Sequence, residues 1–179
     1  YAEAHSNLGI TLQELGQLEE AVKCFEKALV IKPGYAEAHY NLGVTLQELG
    51  QLEDSVKCYE QALAIKPDFA EAYCNLGVTI NDLGQLEEAV KCYEQALATK
   101  PDYAEAHYNL GNTLKGLGQL EEAVKCYEQA LTIKPDYAEA HSNLGVTLND
   151  LDQLEEAVKC YEQALAIKPD YAEAHSNLG

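Results

Sequence analysis

Arginine, tryptophan and methionine are absent from this chain of 179 residues, and phenylalanine occurs only twice. No apolar run is long enough to span a bilayer, and no segment has the pattern of a secretory signal. Basic patches are missing as well. The net charge of −18, from 30 acids against 12 lysines, is spread evenly along the chain. Such a surface disfavours phosphate backbones and anionic lipid. It leaves neutral or basic protein partners, with no nucleic acid and no membrane. The motifs that carry chemistry are also lacking. There is no HEXXH or CXXC metal pattern, no glycine-rich phosphate loop, no nucleophile elbow and no Ser/His/Asp arrangement. Neither catalytic residues nor a metal or cofactor site is expected. Without a starting Met, and opening in mid-register, the chain is expected to be a piece of a longer array.

What is present is one phrase, repeated. Its fullest form, LEEAVKCYEQALAIKPDYAEAHSNLG, begins at Leu154, and close copies begin at Leu18, Leu52, Leu86 and Leu120. The period predicts five units, 1–34, 35–68, 69–102, 103–136 and 137–170, with 171–179 opening a sixth, in a single array over 1–179. A fixed period of this length marks a stacked-repeat architecture, and it overrides the usual prior of one globular domain.

Within the unit 35–68, Ala38, Leu42, Val44, Leu46 and Leu49 fall largely at helical spacing and predict a first helix, A. Gly50 ends it as a residue able to take positive φ. Acids at Glu53 and Asp54 suit the start of a second helix, B. Ser55, Val56, Tyr59, Ala62, Leu63 and Ile65 are its expected buried stripe. Lys66 and Pro67 close it. The pairs Asp68/Glu71, Asp102/Glu105, Asp136/Glu139 and Asp170/Glu173 read as capping boxes for helix A. Glycine inside helix A, as at Gly43, costs about 1 kcal/mol against alanine, so a close approach of helix B is expected. Ala28, Ala62, Ala96, Ala130 and Ala164 are the matching contact sites. At the turn, Asp152 stands where the other units have glycine, which predicts strain or a looser turn.

Of the six cysteines, Cys24, Cys58, Cys92, Cys126 and Cys160 recur once per unit. Equivalent residues of stacked helical units lie about 8–10 Å apart, too far for a disulfide. Unpaired thiols point to a reducing compartment, cytoplasm or nucleus.

The spacing Leu8-Gly9-x-x-Leu12, then Ala21-x-x-x-Phe25, Ala28 and Pro33, resembles the tetratricopeptide repeat, TPR, over the whole chain. Two slots depart from its signature. His5, His39, Tyr73, His107, His141 and His175 stand in the tryptophan slot, and Leu12, Leu46, Ile80, Leu114 and Leu148 in the tyrosine slot. The resemblance implies an all-α fold, a right-handed α-solenoid of helix-turn-helix units. It also implies a non-catalytic interaction scaffold, with helix A lining a concave groove that holds an extended peptide or helix. The groove would then be lined by Glu3, Ser6, Asn7, Ile10, Gln13, Glu14 and their equivalents.

Two patterns in helix A mark the candidate site. The first is an asparagine ladder, Asn7, Asn41, Asn75, Asn109, Asn143 and Asn177. Asparagine is a poor helix-interior residue, and its amide can both donate to and accept from a peptide backbone. The competing reading has these amides bonding between neighbouring repeats. The second pattern is variation between units. Helix B hardly changes, whereas helix A changes at Ser6/Tyr40/Cys74/Tyr108/Ser142, at Ile10/Val44/Val78/Asn112/Val146 and at Gln13/Gln47/Asn81/Lys115/Asn149. Tyr40 and Tyr108 offer flat anchors for a ligand, and Cys74, Asn112 and Lys115 are further groove positions. TPRs that clamp acidic tails use several Lys and Arg on helix A, and only Lys115 is basic there. The ladder is similar to that in the TPR arm of O-linked N-acetylglucosamine transferase, which implies an alternative role as the substrate-recruiting arm of a larger glycosyltransferase. Unsatisfied end faces give a third, head-to-tail self-association.

Overall fold

The computed structural model describes residues 1–170. Expectations that fall on 171–179, including Glu173, His175, Asn177 and the opening of a sixth unit, lie outside the described residues. Helix A of the five repeats is α1 (Ala2–Glu14), α3 (Ala36–Glu48), α5 (Ala70–Asp82), α7 (Ala104–Gly116) and α9 (Ala138–Asp150). Helix B is α2 (Leu18–Ile31), α4 (Leu52–Ile65), α6 (Leu86–Thr99), α8 (Leu120–Ile133) and α10 (Leu154–Ile167). Among the described residues there is no strand. The chain divides into two compact units, the first Tyr1–Thr99 and the second from Lys100 onward.

Each A-to-B turn closes in the same way. Gly50 takes φ +73, its N–H donates to the Gln47 carbonyl at 2.9 Å, and the Gln51 N–H donates to the Leu46 carbonyl at 2.8 Å. These two bonds satisfy carbonyls that the end of a helix leaves unpaired. Asp152 adopts φ +59 and closes the same two bonds, at 3.0 and 2.9 Å. The turn is therefore not looser; the cost is confined to a side chain in left-handed backbone.

The core lies between helices A and B, and its key contact is an aromatic ring over a glycine. A Cβ built on Gly43 would stand 2.8 Å from the Tyr59 ring, and one on Gly111 would stand 2.7 Å from the Tyr127 ring. The same holds for Gly9 with Phe25, Gly77 with Tyr93 and Gly145 with Tyr161. Helix B does approach closely, as the glycines imply, but the partner is the ring and not the alanine three residues on. Those alanines are buried as well. Ser55, where the other repeats have alanine, is fully buried and donates from Oγ to the Gly43 carbonyl at 2.8 Å. Ile65, expected in the buried stripe, is 40% exposed. It sits about 120° round the helix from Tyr59 at 100° per residue.

Among the described residues the expected capping boxes do not form. The residue at the N-cap is the aromatic, Tyr35, Phe69, Tyr103 or Tyr137, and no side chain caps α3, α5, α7 or α9. The aromatic ring is drawn into the repeat junction, which leaves the aspartate one residue too early to reach the first-turn amides. The glutamates turn elsewhere. Glu3 pairs with Lys32 at 3.2 Å, Glu37 with Lys66 at 3.7 Å, Glu105 with Lys134 at 3.6 Å and Glu139 with Lys168 at 3.7 Å. The lysine at the end of helix B also lies over the next repeat's N-cap ring, Lys66 over Phe69 and Lys134 over Tyr137, both at 4.4 Å from the centroid. The histidines hold the same junction. His39, His107 and His141 each place Nε2 3.0 Å from the carbonyl of Pro33, Pro101 and Pro135, where the ring nitrogen donates.

Candidate functional site

The asparagine ladder runs along helix A and is anchored from behind. Thr11, Thr45, Thr79, Thr113 and Thr147 each donate from Oγ1 to the backbone carbonyl of the ladder asparagine four residues earlier, at 2.7–3.1 Å. Thr45, Thr79 and Thr147 are fully buried, so this bond satisfies a hydroxyl that would otherwise be costly to bury. Successive A helices touch, α1 with α3 and α3 with α5 in the first unit, α7 with α9 in the second. Gln13 Nε2 donates to Glu48 Oε1 across that seam at 2.8 Å.

The asparagine side chains are not equivalent. Asn7 is exposed and Asn41, Asn75, Asn109 and Asn143 are half-buried. Asn75 Nδ2 donates to Tyr40 Oη at 3.0 Å. Asn143 Nδ2 donates to Tyr108 Oη at 3.1 Å and to Asn112 Oδ1 at 2.8 Å. Asn112 Oδ1 in turn accepts from the hydroxyl of Tyr127 at 2.8 Å. The bonding between neighbouring repeats that competes with the groove reading is thus present at these two positions.

The slot before the ladder faces inward. Cys74 is 2% exposed and Ser6 and Ser142 are 1% exposed. These three, expected as groove positions, are packing residues, because the slot lies against helix B and the next repeat. Tyr40 and Tyr108 are half-buried, with only part of each ring left for a ligand. The Tyr40 ring centroid lies 5.9 Å from that of Tyr59 and 4.9 Å from that of Phe69. Tyr108 repeats this with Tyr127 at 6.1 Å and Tyr137 at 4.8 Å. Burial pushes the Tyr40 phenol above its ordinary value, with the charge of Glu71 adding to it, so the hydroxyl keeps its proton at neutral pH. Burial does the same to Tyr59 and Tyr127.

Asn112 and Lys115 stand on α7, half-buried. Sequence reasoning misses the network that joins Asn112 to the ladder, although its signal is there. Asn112 is the one polar residue in a slot otherwise held by Ile10, Val44, Val78 and Val146. The swap at the neighbouring slot, Gln47 to Lys115, is visible too, but nothing local connects the two.

The helix B cysteines are free thiols, and Cys58 and Cys92 pack against the hydrophobic core clusters. Burial pushes Cys58, Cys92 and Cys126 up to about 11, with nearby acids adding to the shift. Among the described residues no three His, Cys, Asp or Glu side chains converge as a metal site would need. No described helix is long and apolar enough to cross a membrane.

A chain of paired antiparallel helices, with its polar ladder on the first helix of each pair, defines a helical-repeat protein of the scaffold type. Sequence profiles described as tetratricopeptide repeat match residues 1–68 and 102–170, with further TPR matches at 58–91 and 81–118. The chain belongs to the tetratricopeptide-repeat family, and its fold class is the all-α TPR solenoid. No curated protein matches it. Among solved structures, a crystal structure of MamA is 26% identical with a TM-score of 0.84, covering 92% of this chain and 96% of that one. YrrB, described as a TPR protein with an unusual peptide-binding site, is 25% identical with a TM-score of 0.80, covering 98% and 91%. A thermophilic TPR protein of Thermus thermophilus is 26% identical with a TM-score of 0.76, covering 99% and 97%.

Proposed function

We propose that the chain is a non-catalytic interaction scaffold whose A helices hold an extended segment of a protein partner, neutral or basic, along the asparagine ladder. The carrying observation is the ladder itself. Six asparagines recur at one position of the sequence, and the described ones stand exposed or half-buried on helix A. Their amides can meet a peptide backbone without reading its side chains. The structural likeness to YrrB, described by its peptide-binding site, supports the same reading. The acidic surface favours a basic or neutral segment. In the first unit the contacts are Asn7, Asn41 and Asn75 with the exposed edge of Tyr40. In the second they are Asn109, Asn143, Asn112 and Lys115 with the edge of Tyr108. The test replaces Asn41, Asn75 and Asn143 with alanine and measures affinity for a peptide selected from a random display library on the full chain. Affinity should fall by at least tenfold while helicity is retained; unchanged affinity would reject the ladder as the site.

A further inference from the structure

The ladder is uniform in sequence but not in what its amides have left to offer. A primary amide has two N–H donors and one carbonyl oxygen. At Asn41 no group among the described residues bonds the amide, and both kinds of group are available. At Asn75 one donor is committed to Tyr40 Oη. At Asn143 both donors are committed, one to Tyr108 Oη and one to Asn112 Oδ1, and only Oδ1 remains. The orientation of that last amide follows from its surroundings. Asn112 Oδ1 already accepts from the Tyr127 hydroxyl, so the group Asn143 turns towards it must be a donor.

The difference is set by the slot one residue before the ladder, in the preceding repeat. Tyr40 precedes Asn75 and Tyr108 precedes Asn143 by 35 residues. Asn41 is preceded at the same distance by Ser6, whose side chain is too short to make this bond. A phenol at this slot can hold the next repeat's amide; a serine cannot.

We infer that Tyr40 and Tyr108 are positioning residues: Tyr40 takes up one donor of Asn75, and Tyr108 with Asn112 makes Asn143 an acceptor, so that the partner must present an N–H to Asn143, while Asn41 and Asn75 can also serve a partner carbonyl. This rests on the ladder being the binding surface. The ladder then fixes which peptide units of the partner point their N–H inward, although it ignores side chains.

Two measurements on the full chain test this. The first needs no ligand. Side-chain amide signals of Asn41, Asn75 and Asn143 are assigned by 15N NMR and their exchange with water is compared. Exchange should be slowest at Asn143, intermediate at Asn75 and fastest at Asn41. Tyr108→Phe, which keeps the ring and removes the hydroxyl, should accelerate Asn143 alone, and Tyr40→Phe should accelerate Asn75 alone. Equal exchange at the three amides, or no response to the two variants, overturns the inference. The second takes the selected peptide and replaces its backbone N–H groups by ester oxygen one at a time. One replacement should weaken binding to the wild type by about tenfold, the loss of a single well-made hydrogen bond, and should cost nothing further in Asn143→Ala. If every ester costs the same in wild type and variant, Asn143 does not accept from the partner. If instead the alanine variants bind the unmodified peptide as wild type does, the groove reading fails, and the exchange measurement still decides the orientation of the amides.

Discussion

The second and fourth repeats, 35–68 and 103–136, are nearly the same molecule. Each lays a tyrosine ring over a glycine, Tyr59 over Gly43 and Tyr127 over Gly111. Each adds a second tyrosine, which meets that ring and the N-cap aromatic of the following repeat at closely similar distances. They part at the buried tyrosine's hydroxyl. Tyr59 donates to Gln47 Oε1 at 3.0 Å, and Tyr127 donates to Asn112 Oδ1 at 2.8 Å. The reason is chemical. Where the fourth repeat has Lys115 in place of glutamine, the acceptor is lost, since an ammonium has no lone pair. Asn112, in place of Val44, supplies another acceptor one turn earlier. Two substitutions that look like separate surface drift are thus one compensated exchange, and the new acceptor is also what ties down Asn143.

The shared part should break equally in both repeats. Tyr59→Ala and Tyr127→Ala each remove a fully buried ring and should cost about 3–5 kcal/mol, read by chemical denaturation. A large inequality between them would mean that the two cores are not equivalent. The differing part should break only in the fourth repeat. Asn112→Val leaves the buried Tyr127 hydroxyl without its acceptor and should cost about 1–3 kcal/mol. Adding Lys115→Gln should recover most of that by restoring the arrangement of the second repeat; a double-mutant cycle with no coupling would refute the compensation.

A smaller effect separates the fourth turn from the fifth. Gly118 and Asp152 both hold positive φ, +75 and +59, a region that costs a non-glycine residue about 1–2 kcal/mol. Asp152→Gly should therefore stabilise by about 1 kcal/mol in thermal melts, and Gly118→Asp should destabilise by a similar amount. Smallest of all are the junction ion pairs. Glu37→Gln and Glu105→Gln remove contacts between roughly half-exposed side chains, and each should change stability by no more than about 0.5 kcal/mol. A larger loss would show that the lysine-over-aromatic contact depends on the carboxylate.

Much of this is legible in the chain itself. Periodic leucine, alanine and glycine place every helix to within a residue or two, because one unit cannot bury its apolar stripe alone and copies can. Glycine at the turns announces its positive φ, since few other residues tolerate it. The caps mislead because Asp68 and Glu71 have capping-box spacing and nothing local shows that Phe69 takes the N-cap position. The candidate site is legible as a ladder but not as a set of unlike rungs. Tyr40 reads as a ligand anchor because an aromatic beside a variable position looks the same from sequence whether it faces solvent or the next repeat.

Sequence alone determined the repeat, its helices, its turns and its family, because those depend on spacing within one unit, and the unit is written out five times. Only tertiary structure decided which groups the ladder keeps free. Tyr40 and Asn75 are 35 residues apart, and so are Tyr108 and Asn143. Their hydrogen bonds exist because stacking brings one repeat's ring against the next repeat's amide, a contact between copies that the pattern within a copy does not record.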